Sequence, residues 1–255
     1  MSSTKWKGSE AMQRGAYESM AENERDHWWF AGRRAIIERL IEANFPAGSR
    51  KLAILEAGCG SGGNLEMLAR FGHVDAFEFD EDARRLANAR GITAVEPGEL
   101  PSRITQPDGT YDLVALFDVL EHVEEDRASL SALGAKLRPD GRILITVPAM
   151  PWLWSEHDER HHHKRRYTAT ALRETIEAAG LSVSRMSYFN VLLFPLAVAA
   201  RIKARLFGPG KPGEEMPAGP VNRLLYKVFS LERHALGSSI RFPVGLSLYA
   251  VAERR

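Results

Sequence analysis

Four glycines follow an acidic residue in the segment 56–63, which reads Glu-Ala-Gly-Cys-Gly-Ser-Gly-Gly. Glycine adopts positive φ angles and lets a ligand approach the backbone closely. A short apolar run precedes this segment and an amphipathic pattern follows it, which predicts a strand, a tight turn and a helix. In open α/β sheets such a turn presents backbone N–H groups at the carboxyl edge of the sheet, where nucleotides bind. The sequence therefore predicts a nucleotide site at this turn.

Two acidic residues indicate which nucleotide is favoured. Gly58, Gly60 and Gly63 also satisfy the G-x-G-x-x-G pattern, so the glycines alone leave NAD open. Glu56 precedes the glycines, where its charge repels a pyrophosphate and attracts the methionyl ammonium of S-adenosylmethionine (SAM). Glu78 ends the next predicted strand, where a carboxylate can accept the ribose hydroxyls of either cofactor. The charge at Glu56 therefore favours SAM over NAD.

A histidine-rich segment at 157–167 supplies candidates for chemistry on a second substrate. It follows the fifth predicted strand, so we expect it to overhang the same edge of the sheet. A general base is useful when the acceptor starts protonated, and imidazole suits that task. We predict His122, His157, His163 and Tyr167 as catalytic residues. A solvated loop is the alternative, and a metal site within the loop is not favoured because adjacent histidines project in different directions.

An alternating pattern of strands and helices positions these groups. Short apolar runs predict strands at 51–56, 74–78, 92–95, 111–117 and 142–147, and amphipathic stretches predict helices at 26–44, 64–71, 80–90, 126–137 and 168–179. This βαβ alternation predicts a mostly parallel sheet with helices on both faces. Two further strands at 181–189 and 244–252 should pair antiparallel and close one edge.

Several motifs in this order resemble the class I SAM-dependent methyltransferases. They are the E-x-G-x-G-x-G loop at 56–62, the acid at Glu78, Tyr-Asp-Leu-Val at 111–114, Asp-Val-Leu-Glu-His-Val at 118–123 and Leu-Arg-Pro-Asp-Gly-Arg at 137–142. The resemblance implies an α/β fold with a Rossmann-like, seven-stranded, mostly parallel sheet and an antiparallel terminal hairpin. It also implies SAM as methyl donor and S-adenosylhomocysteine (SAH) as product.

The resemblance assigns cofactor-binding roles residue by residue. It places the methionyl part of SAM on the glycine turn, the ribose on Glu78 and the adenine beside 96–99, where Pro97 and Gly98 depart from the usual acidic stretch. Phe117 and Asp118 would line the site of methyl transfer, although Asp118 can also be read as a helix N-cap. The residues assigned to the methionyl part are Glu56, Gly58, Gly60 and Gly62.

Two further resemblances concern the acceptor side. Asp118, Glu121 and His122 are similar to the E-x-x-E-H of ubiquinone-pathway O-methyltransferases, where a divalent ion steadies a catechol oxygen. Here the first acid is Asp, and many relatives carry D-V-L-E-H-V with no apparent metal role. We therefore expect no resident metal and keep a divalent ion as an alternative. The segment 157–167 also resembles the H-D-E-x-x-x-H-x-R-R-Y stretch of a bacterial methyltransferase subgroup.

The sequence divides into three predicted parts. Residues 1–50 form an N-terminal helical lid, 51–190 with 242–255 form the Rossmann-like core, and 191–241 form an apolar-basic helical insertion. The Trp-Trp-Phe run at 28–30 resembles a segment of the quinone enzymes, and Arg33 or Arg34 behind it would hold the methionyl carboxylate through two hydrogen bonds. Bulky aromatics of this kind favour burial of the three side chains against the sheet, and a lid over the cofactor is the alternative. The insertion is predicted to be a lid or a homodimer contact with at most peripheral membrane contact.

Composition narrows the functional class. The chain has 255 residues, with 34 Lys and Arg against 33 Asp and Glu. It therefore lacks the excess of positive charge that attracts nucleic acid. One cysteine, no apparent secretory signal and no long apolar run favour a cytoplasmic protein. We expect methyl transfer to oxygen or nitrogen of a small-molecule or lipid-linked acceptor. The alternatives are a metal-assisted quinone or catechol O-methyltransferase and a non-catalytic nucleotide-binding regulator.

Overall fold

Seven strands form one sheet in the computed structural model, which describes residues 24–45, 51–207 and 216–255. The strands are β1 (Leu52–Ala57), β2 (Gly72–Glu78), β3 (Val95–Pro97), β4 (Tyr111–Phe117), β5 (Leu137–Pro148), β6 (Leu181–Phe189) and β7 (Ser247–Arg254). Their order is β3-β2-β1-β4-β5-β7-β6. The first five strands are parallel to one another, whereas β7 runs antiparallel to both β5 and β6. The predicted Rossmann-like sheet with an antiparallel terminal hairpin is confirmed.

The chain order changes direction at β1, which lies between β2 and β4. Leu55 of β1 pairs with Asp75 of β2 on one side and with Val114 of β4 on the other. Such a switch point opens a crevice beyond the carboxyl ends of the two central strands. The glycine turn follows β1 and Asp118 follows β4, so the topology brings both predicted groups to this crevice.

Helices connect the strands and cover the sheet. They are α1 (Trp28–Asn44), α2 (Leu65–Ala69), α3 (Glu81–Ala89), α4 (Asp126–Lys136), α5 (Glu156–Arg160), α6 (Ala169–Ala178), α7 (Phe194–Phe207), α8 (Gly219–Ser230) and α9 (Glu232–Leu236). In the described ranges none of them has both the length and the apolar character needed to cross a bilayer.

The strand β4 is buried on both faces, and its side chains alternate between two cores. One core contains side chains of α1, of α8 and of β6 and β7. The β4 residues that face it are Leu113, Ala115 and Phe117. Val114 and Leu116 face a second core, formed with α4 and α6. Burial on both faces explains why this strand reads as a continuous apolar run rather than an alternating one.

Several local predictions differ from the structure. β3 begins at Val95 rather than near residue 92, and β7 spans Ser247–Arg254 rather than 244–252. The predicted Pro-Asp-Gly turn is an irregularity within β5, since Tyr111 pairs with Leu137 and Leu113 with Arg142. The segment predicted as a loop contains α5, which begins with a capping box between Ser155 and Asp158. The S-x-x-D pattern of that box was a readable signal for the helix.

The first helix and the predicted insertion pack together on one face of the sheet. Phe229 of α8 is fully buried, and a Cβ on Gly32 of α1 would lie 2.6 Å from its ring. The side chain of Asn222 accepts a hydrogen bond of 2.8 Å from the Trp28 N–H and donates to the carbonyl of Asp26. The division into lid, core and insertion stays a prediction, and residues 1–23, 46–50 and 208–215 of those parts lie outside the described residues.

Candidate cofactor and acceptor site

The glycine turn between β1 and α2 adopts positive φ at three positions. The φ angles are +70° at Gly58, +56° at Gly60 and +82° at Gly62. Residues that carry a Cβ rarely adopt such angles. A Cβ on Gly62 would lie 2.9 Å from a methyl of Leu65, whereas a Cβ on Gly60 would meet no atom within 4 Å. The backbone at Gly60 therefore faces open space at the crevice.

Glu78 is hydrogen-bonded to this turn. Its Oε2 accepts a hydrogen bond of 2.8 Å from the Gly60 N–H, and its Oε1 accepts one of 2.9 Å from the Asp80 N–H. Burial raises the pKa of Glu78, and these backbone donors oppose that rise. Because each carboxylate oxygen has more than one acceptor position, the side chain retains capacity for two ligand hydroxyls.

Glu56 is buried at the end of β1, with 1% of its surface exposed. Asn64 donates a hydrogen bond of 2.9 Å to its Oε1, but Oε2 has no partner in the described residues. Burial raises the pKa of Glu56 to about 8, although the hydrogen bond from Asn64 opposes the rise. A buried carboxylate with an unpaired oxygen is costly by itself and is suited to a cationic ligand group.

Glu24 also contacts the glycine turn, and sequence reasoning missed it. Its Oε2 accepts a hydrogen bond of 2.7 Å from the Ser61 hydroxyl and one of 2.8 Å from the Arg90 guanidinium. The segment before α1 therefore lies against the turn. These partners are far from Glu24 in the chain, so no local pattern pointed to the contact.

Arg33 lies on α1 and reaches the ends of β4 and β5. It forms an ion pair with Asp118 and donates a hydrogen bond of 3.1 Å to the Thr146 hydroxyl. Its guanidinium carbon is 5.4 Å from the ring centroid of Trp29 and 5.7 Å from that of Phe117. Its Nε is buried and has no partner among the described residues. Arg34, the other predicted carboxylate clamp, instead donates to two backbone carbonyls just before α1.

Asp118 turns the chain immediately after β4, with a φ of +53°. Its carboxylate accepts hydrogen bonds from Arg33 and from Thr146 rather than capping the following 3₁₀ helix (Leu120–His122). Within that helix, Glu121 is 1% exposed and its Oε2 has no partner in the described part of the chain. Burial, together with the nearby Asp118, raises the pKa of Glu121 well above its ordinary value.

Asp158 orients one of the predicted catalytic histidines. Its Oδ1 lies 2.9 Å from His163 Nδ1 and 2.7 Å from Arg166 Nε. Burial alone would raise the pKa of Asp158, but these hydrogen bonds outweigh it and hold the pKa below its usual range. An ionised carboxylate only accepts, so the Nδ1 of His163 carries a proton and donates it to Asp158, which fixes the orientation of the ring.

The histidines gather around His163. The ring centroid of His122 lies 4.7 Å from that of His163, edge to face, and the centroid of His157 lies 6.1 Å away. One ligand atom from each of Glu121, His122 and His163 falls within 4.8 Å of the other two. His122 is an exposed residue, and partial desolvation of its ring, with smaller contributions from His163 and His161, lowers its pKa below the ordinary value of 6.5. His122 is therefore neutral at physiological pH.

Tyr167 is placed differently from the three histidines. It is 2% exposed, and its hydroxyl donates a hydrogen bond of 2.9 Å to Asp126, the first residue of α4. The same Asp126 oxygen accepts a hydrogen bond of 2.7 Å from Arg165. Burial and the neighbouring Asp126 raise the pKa of the Tyr167 hydroxyl. The hydroxyl is thus engaged in a contact that joins the histidine segment to α4.

The predicted residues form two groups at the carboxyl edge. The glycine turn, Glu56 and Glu78 form the first group, and Glu121 with the histidines forms the second. Arg33 interacts electrostatically with both Glu56 and Glu121, and so connects the groups. Sequence reasoning found the members of each group and quoted Arg166 within the histidine-rich segment, but it missed the positioning residues Glu24 and Thr146.

A protein-family comparison matches this chain to one domain family. The model described as "Methyltransferase domain" matches residues 29–185, which is more than half of the chain. The matched segment contains both groups, from Arg33 to Tyr167.

Two curated proteins illustrate the relatives found. A "Probable S-adenosylmethionine-dependent methyltransferase" of Mycolicibacterium smegmatis is 29% identical over 162 residues, covering 62% of this chain and 61% of the relative. A "Ubiquinone biosynthesis O-methyltransferase" of Aeromonas salmonicida is 31% identical over 156 residues, covering 52% and 64%. The chain thus spans about three fifths of the length of these two relatives.

Solved structures share the fold. A putative methyltransferase, solved in complex with the Trm112 methyltransferase activator of Haloferax volcanii, superposes with a TM-score of 0.57 at 15% identity. The superposition covers 94% of this chain and 93% of that one. At this level of identity the likeness concerns the architecture alone.

Proposed function

The chain belongs to the methyltransferase domain family, and we propose that it transfers the methyl group of SAM to an oxygen or nitrogen of a small-molecule or lipid-linked acceptor. The observation that carries the proposal is the unpaired, buried Oε2 of Glu56 beside the open glycine turn. An ammonium group is the ligand feature that such an oxygen suits, and the amino-acid part of SAM carries one.

The rest of the donor pocket fits the same cofactor. SAM would place its ribose hydroxyls on Glu78 and its methionyl part along Gly58, Gly60 and Gly62. Arg33 has an unpaired Nε with which to hold the methionyl carboxylate. A pyrophosphate at this turn would meet the acidic side chains of Glu56, Glu78 and Glu24, none of which can supply a positive charge to balance its own, and this disfavours NAD.

The transfer requires alignment and exclusion of water more than it requires acid or base chemistry. A lone pair of the acceptor forms a bond to the methyl carbon while the bond from carbon to sulfur breaks, and sulfur keeps that electron pair as a neutral thioether. The sulfonium already activates the methyl group, so the chain's task is to hold the acceptor in line in a dry pocket. Phe117 and Asp118 lie at the end of β4, where that pocket would form.

A protonated acceptor must also lose a proton, and His163 is the best-prepared base. Asp158 accepts the hydrogen bond from its Nδ1–H and orients the ring, so that Nε2 would be the atom that takes the proton of the acceptor. His122 adjoins His163, and because its lowered pKa makes it a weak base, it would orient the acceptor rather than take its proton. His157 belongs to the same cluster, whereas Tyr167 would act by positioning the segment through Asp126.

Composition also bears on the acceptor and the location. The near balance of Lys and Arg against Asp and Glu disfavours nucleic acid as the acceptor. The single cysteine favours a cytoplasmic location.

SAH production across a panel of phenols, carboxylates, amines and lipid-linked acceptors tests the proposal. We expect SAH release above background with at least one class, and a loss of about 10²-fold or more in His163→Asn with unchanged SAH affinity. His162→Asn is the matched control, because His162 is an exposed neighbour on the same segment. SAH binding without turnover on any class would instead support the non-catalytic regulator.

A metal-assisted O-methyltransferase is the second candidate, and the cluster of Glu121, His122 and His163 favours it. Glu121 has an unpaired buried oxygen, His122 is neutral, and Asp158 holds the far nitrogen of His163 as partners of metal-bound histidines do. One carboxylate and two imidazoles suit a divalent transition ion. Such an ion would polarise an acceptor oxygen when bound.

Removal of divalent ions separates the two candidates. The base mechanism predicts full activity after dialysis against EDTA, and no stoichiometric binding of Mn²⁺ or Co²⁺ in equilibrium dialysis. The metal candidate predicts one bound ion per chain, lost in Glu121→Gln but retained in the control Glu124→Gln, whose side chain is exposed.

A further inference from the structure

Exposed apolar side chains are concentrated in one stretch of the chain. Apart from Phe79, Ile92 and Trp152, every large apolar side chain that is exposed in the described residues lies between 192 and 244. A soluble protein rarely leaves so many together without a partner. The strongest cases are on α7 and α8, including Leu206 at 70% and Leu196 at 63% exposure.

The exposed residues of α7 form a stripe along the helix. Leu196, Ala199, Lys203 and Leu206 are all exposed and recur at the spacing of one helix face, with Ile202 beside them. This face is mostly apolar, which is the reverse of the usual solvated side of a surface helix. At the first residue of α7, Phe194, the ring packs edge-on against that of Trp152, with the two centroids 6.2 Å apart. Trp152 is itself half exposed and follows β5 at the carboxyl edge of the sheet.

The outer face of α8 has the same character. Phe229 on its inner side is buried, with Leu225 and Val228 packed beside it. The opposite side exposes Leu224 and the residue after the helix, Leu231, together with Arg223 and Lys227. α8 is therefore anchored to the fold by one face and presents apolar and basic groups on the other.

The charges near these faces are of one sign. Lys203, Arg223, Lys227 and Arg241 are exposed. In the described part of 191–244 the one acidic residue is Glu232, which is 3% exposed and accepts hydrogen bonds from the Val191 and Leu192 N–H groups. Exposed apolar side chains flanked by cations, with no exposed acid among those that the structure describes here, complement a bilayer that contains anionic lipids.

We propose that the outer faces of α7 and α8, together with Trp152, act as one surface that docks the protein on an anionic membrane. The docking surface comprises Trp152, Leu196, Ile202, Lys203, Leu206, Arg223, Leu224, Lys227 and Leu231. The apolar side chains enter the boundary between headgroups and acyl chains, and the cations contact lipid phosphates. This inference does not depend on methyl transfer, because it rests on the surface alone.

Vesicle sedimentation of the full chain tests the proposal. We use vesicles of phosphatidylcholine alone and vesicles in which about a quarter of the lipid is phosphatidylglycerol. We expect binding at least tenfold stronger to the anionic vesicles, weakened by high salt. Equal binding to both vesicles, or binding to neither, would overturn the proposal.

Variants identify the surface that binds. The double variant Leu196→Asp/Leu206→Asp should lose at least tenfold in binding, whereas Ile92→Asp, an exposed residue near β3, should bind as the unmodified chain does. Lys203→Glu/Arg223→Glu should lose the preference for anionic lipid, whereas Arg85→Glu on α3 should keep it. Circular dichroism confirms that each variant is folded. Equal losses in the controls would overturn the assignment.

A second copy of the chain is the competing occupant. Sedimentation velocity distinguishes it without lipid. We expect the association state to be the same in the unmodified chain and in Leu196→Asp/Leu206→Asp. A dimer that the double variant converts to monomer would assign the surface to self-association and overturn the membrane proposal.

Discussion

The Gly60 N–H donates a hydrogen bond of 2.8 Å to Oε2 of Glu78. This contact joins the turn after β1 to the end of β2, and so holds the two predicted parts of the nucleotide pocket in one arrangement. Moving either segment would therefore break a hydrogen bond to the other.

Replacing the Glu78 carboxylate should weaken cofactor binding selectively. In Glu78→Gln the ribose hydroxyls lose a charged acceptor, and a hydrogen bond to a charged group contributes about 1.5–3 kcal/mol. We expect SAH affinity, measured by calorimetry, to fall by tenfold or more. Glu81→Gln, an exposed acid at the start of α3, is the control and should bind as the unmodified chain does. Unchanged affinity in Glu78→Gln would remove the ribose assignment.

Substitutions at Gly60 and Gly62 should differ in their effects on cofactor binding and on stability. Space beside Gly60 is open, so Gly60→Val places a side chain where the ligand would lie, and SAH binding should be lost. Gly62→Ala instead pushes a methyl against Leu65 and Ala87, in addition to about 1–2 kcal/mol for its positive φ. Urea denaturation should therefore show a larger loss of unfolding free energy for Gly62→Ala than for Gly60→Ala. Equal losses for the two alanine variants would contradict this picture.

Much of the sheet follows from the sequence because its strands are local apolar runs bounded by turn residues. β4 and β6 match their predicted bounds, and the glycine turn was recognisable from residue type alone. The start of β3 was misplaced since a three-residue edge strand carries little pattern of its own. α5 was missed because charged residues and histidines dominate its composition.

The site was predictable only in its separate parts. Motif spacing identified Glu56, Glu78 and His163, which belong to short segments beside strands. The contacts that orient them join distant segments: Arg33 reaches Thr146 across 113 positions, and Ser61 reaches Glu24 across 37. No local periodicity encodes such pairings, so they required the three-dimensional structure.

Glu56 should make cofactor binding release a proton. Its pKa is about 8 in the ligand-free protein, so the carboxyl is mostly protonated at pH 7 and must ionise to pair with an ammonium group. We expect about one proton released per SAH bound at pH 7, obtained by calorimetry in buffers of different ionisation enthalpy. The release should fall sharply in Glu56→Gln, which keeps the shape of the side chain.

Glu56 should also make the unfolding free energy of the ligand-free protein depend on pH. Because burial raises the folded-state pKa of Glu56 above its ordinary value of 4.5, its contribution is greatest below that value and is lost as pH rises towards 8. The unfolding free energy of the unmodified chain should therefore fall relative to that of Glu56→Gln across this interval. A difference that stays constant with pH would show that Glu56 is not a buried, protonated group.

Asp158 should contribute strongly to stability. It accepts hydrogen bonds from His163 and from Arg166, whose side chain is only 8% exposed. Asp158→Asn removes the charge that compensates this nearly buried guanidinium, which costs about 3 kcal/mol or more. Chemical denaturation of Asp158→Asn and of the control Glu159→Gln, an exposed neighbour on α5, measures the difference. A loss below about 1 kcal/mol for Asp158→Asn would contradict the role assigned to it.

Calorimetric titration of the full chain with SAH and, in parallel, with NAD tests the nucleotide assignment most directly. The account predicts saturable binding of one SAH per chain and no measurable heat of binding for NAD under the same conditions. Saturable NAD binding without SAH binding would mean that the acids beside the glycine turn do not select an amino-acid-bearing nucleoside, and would contradict the account.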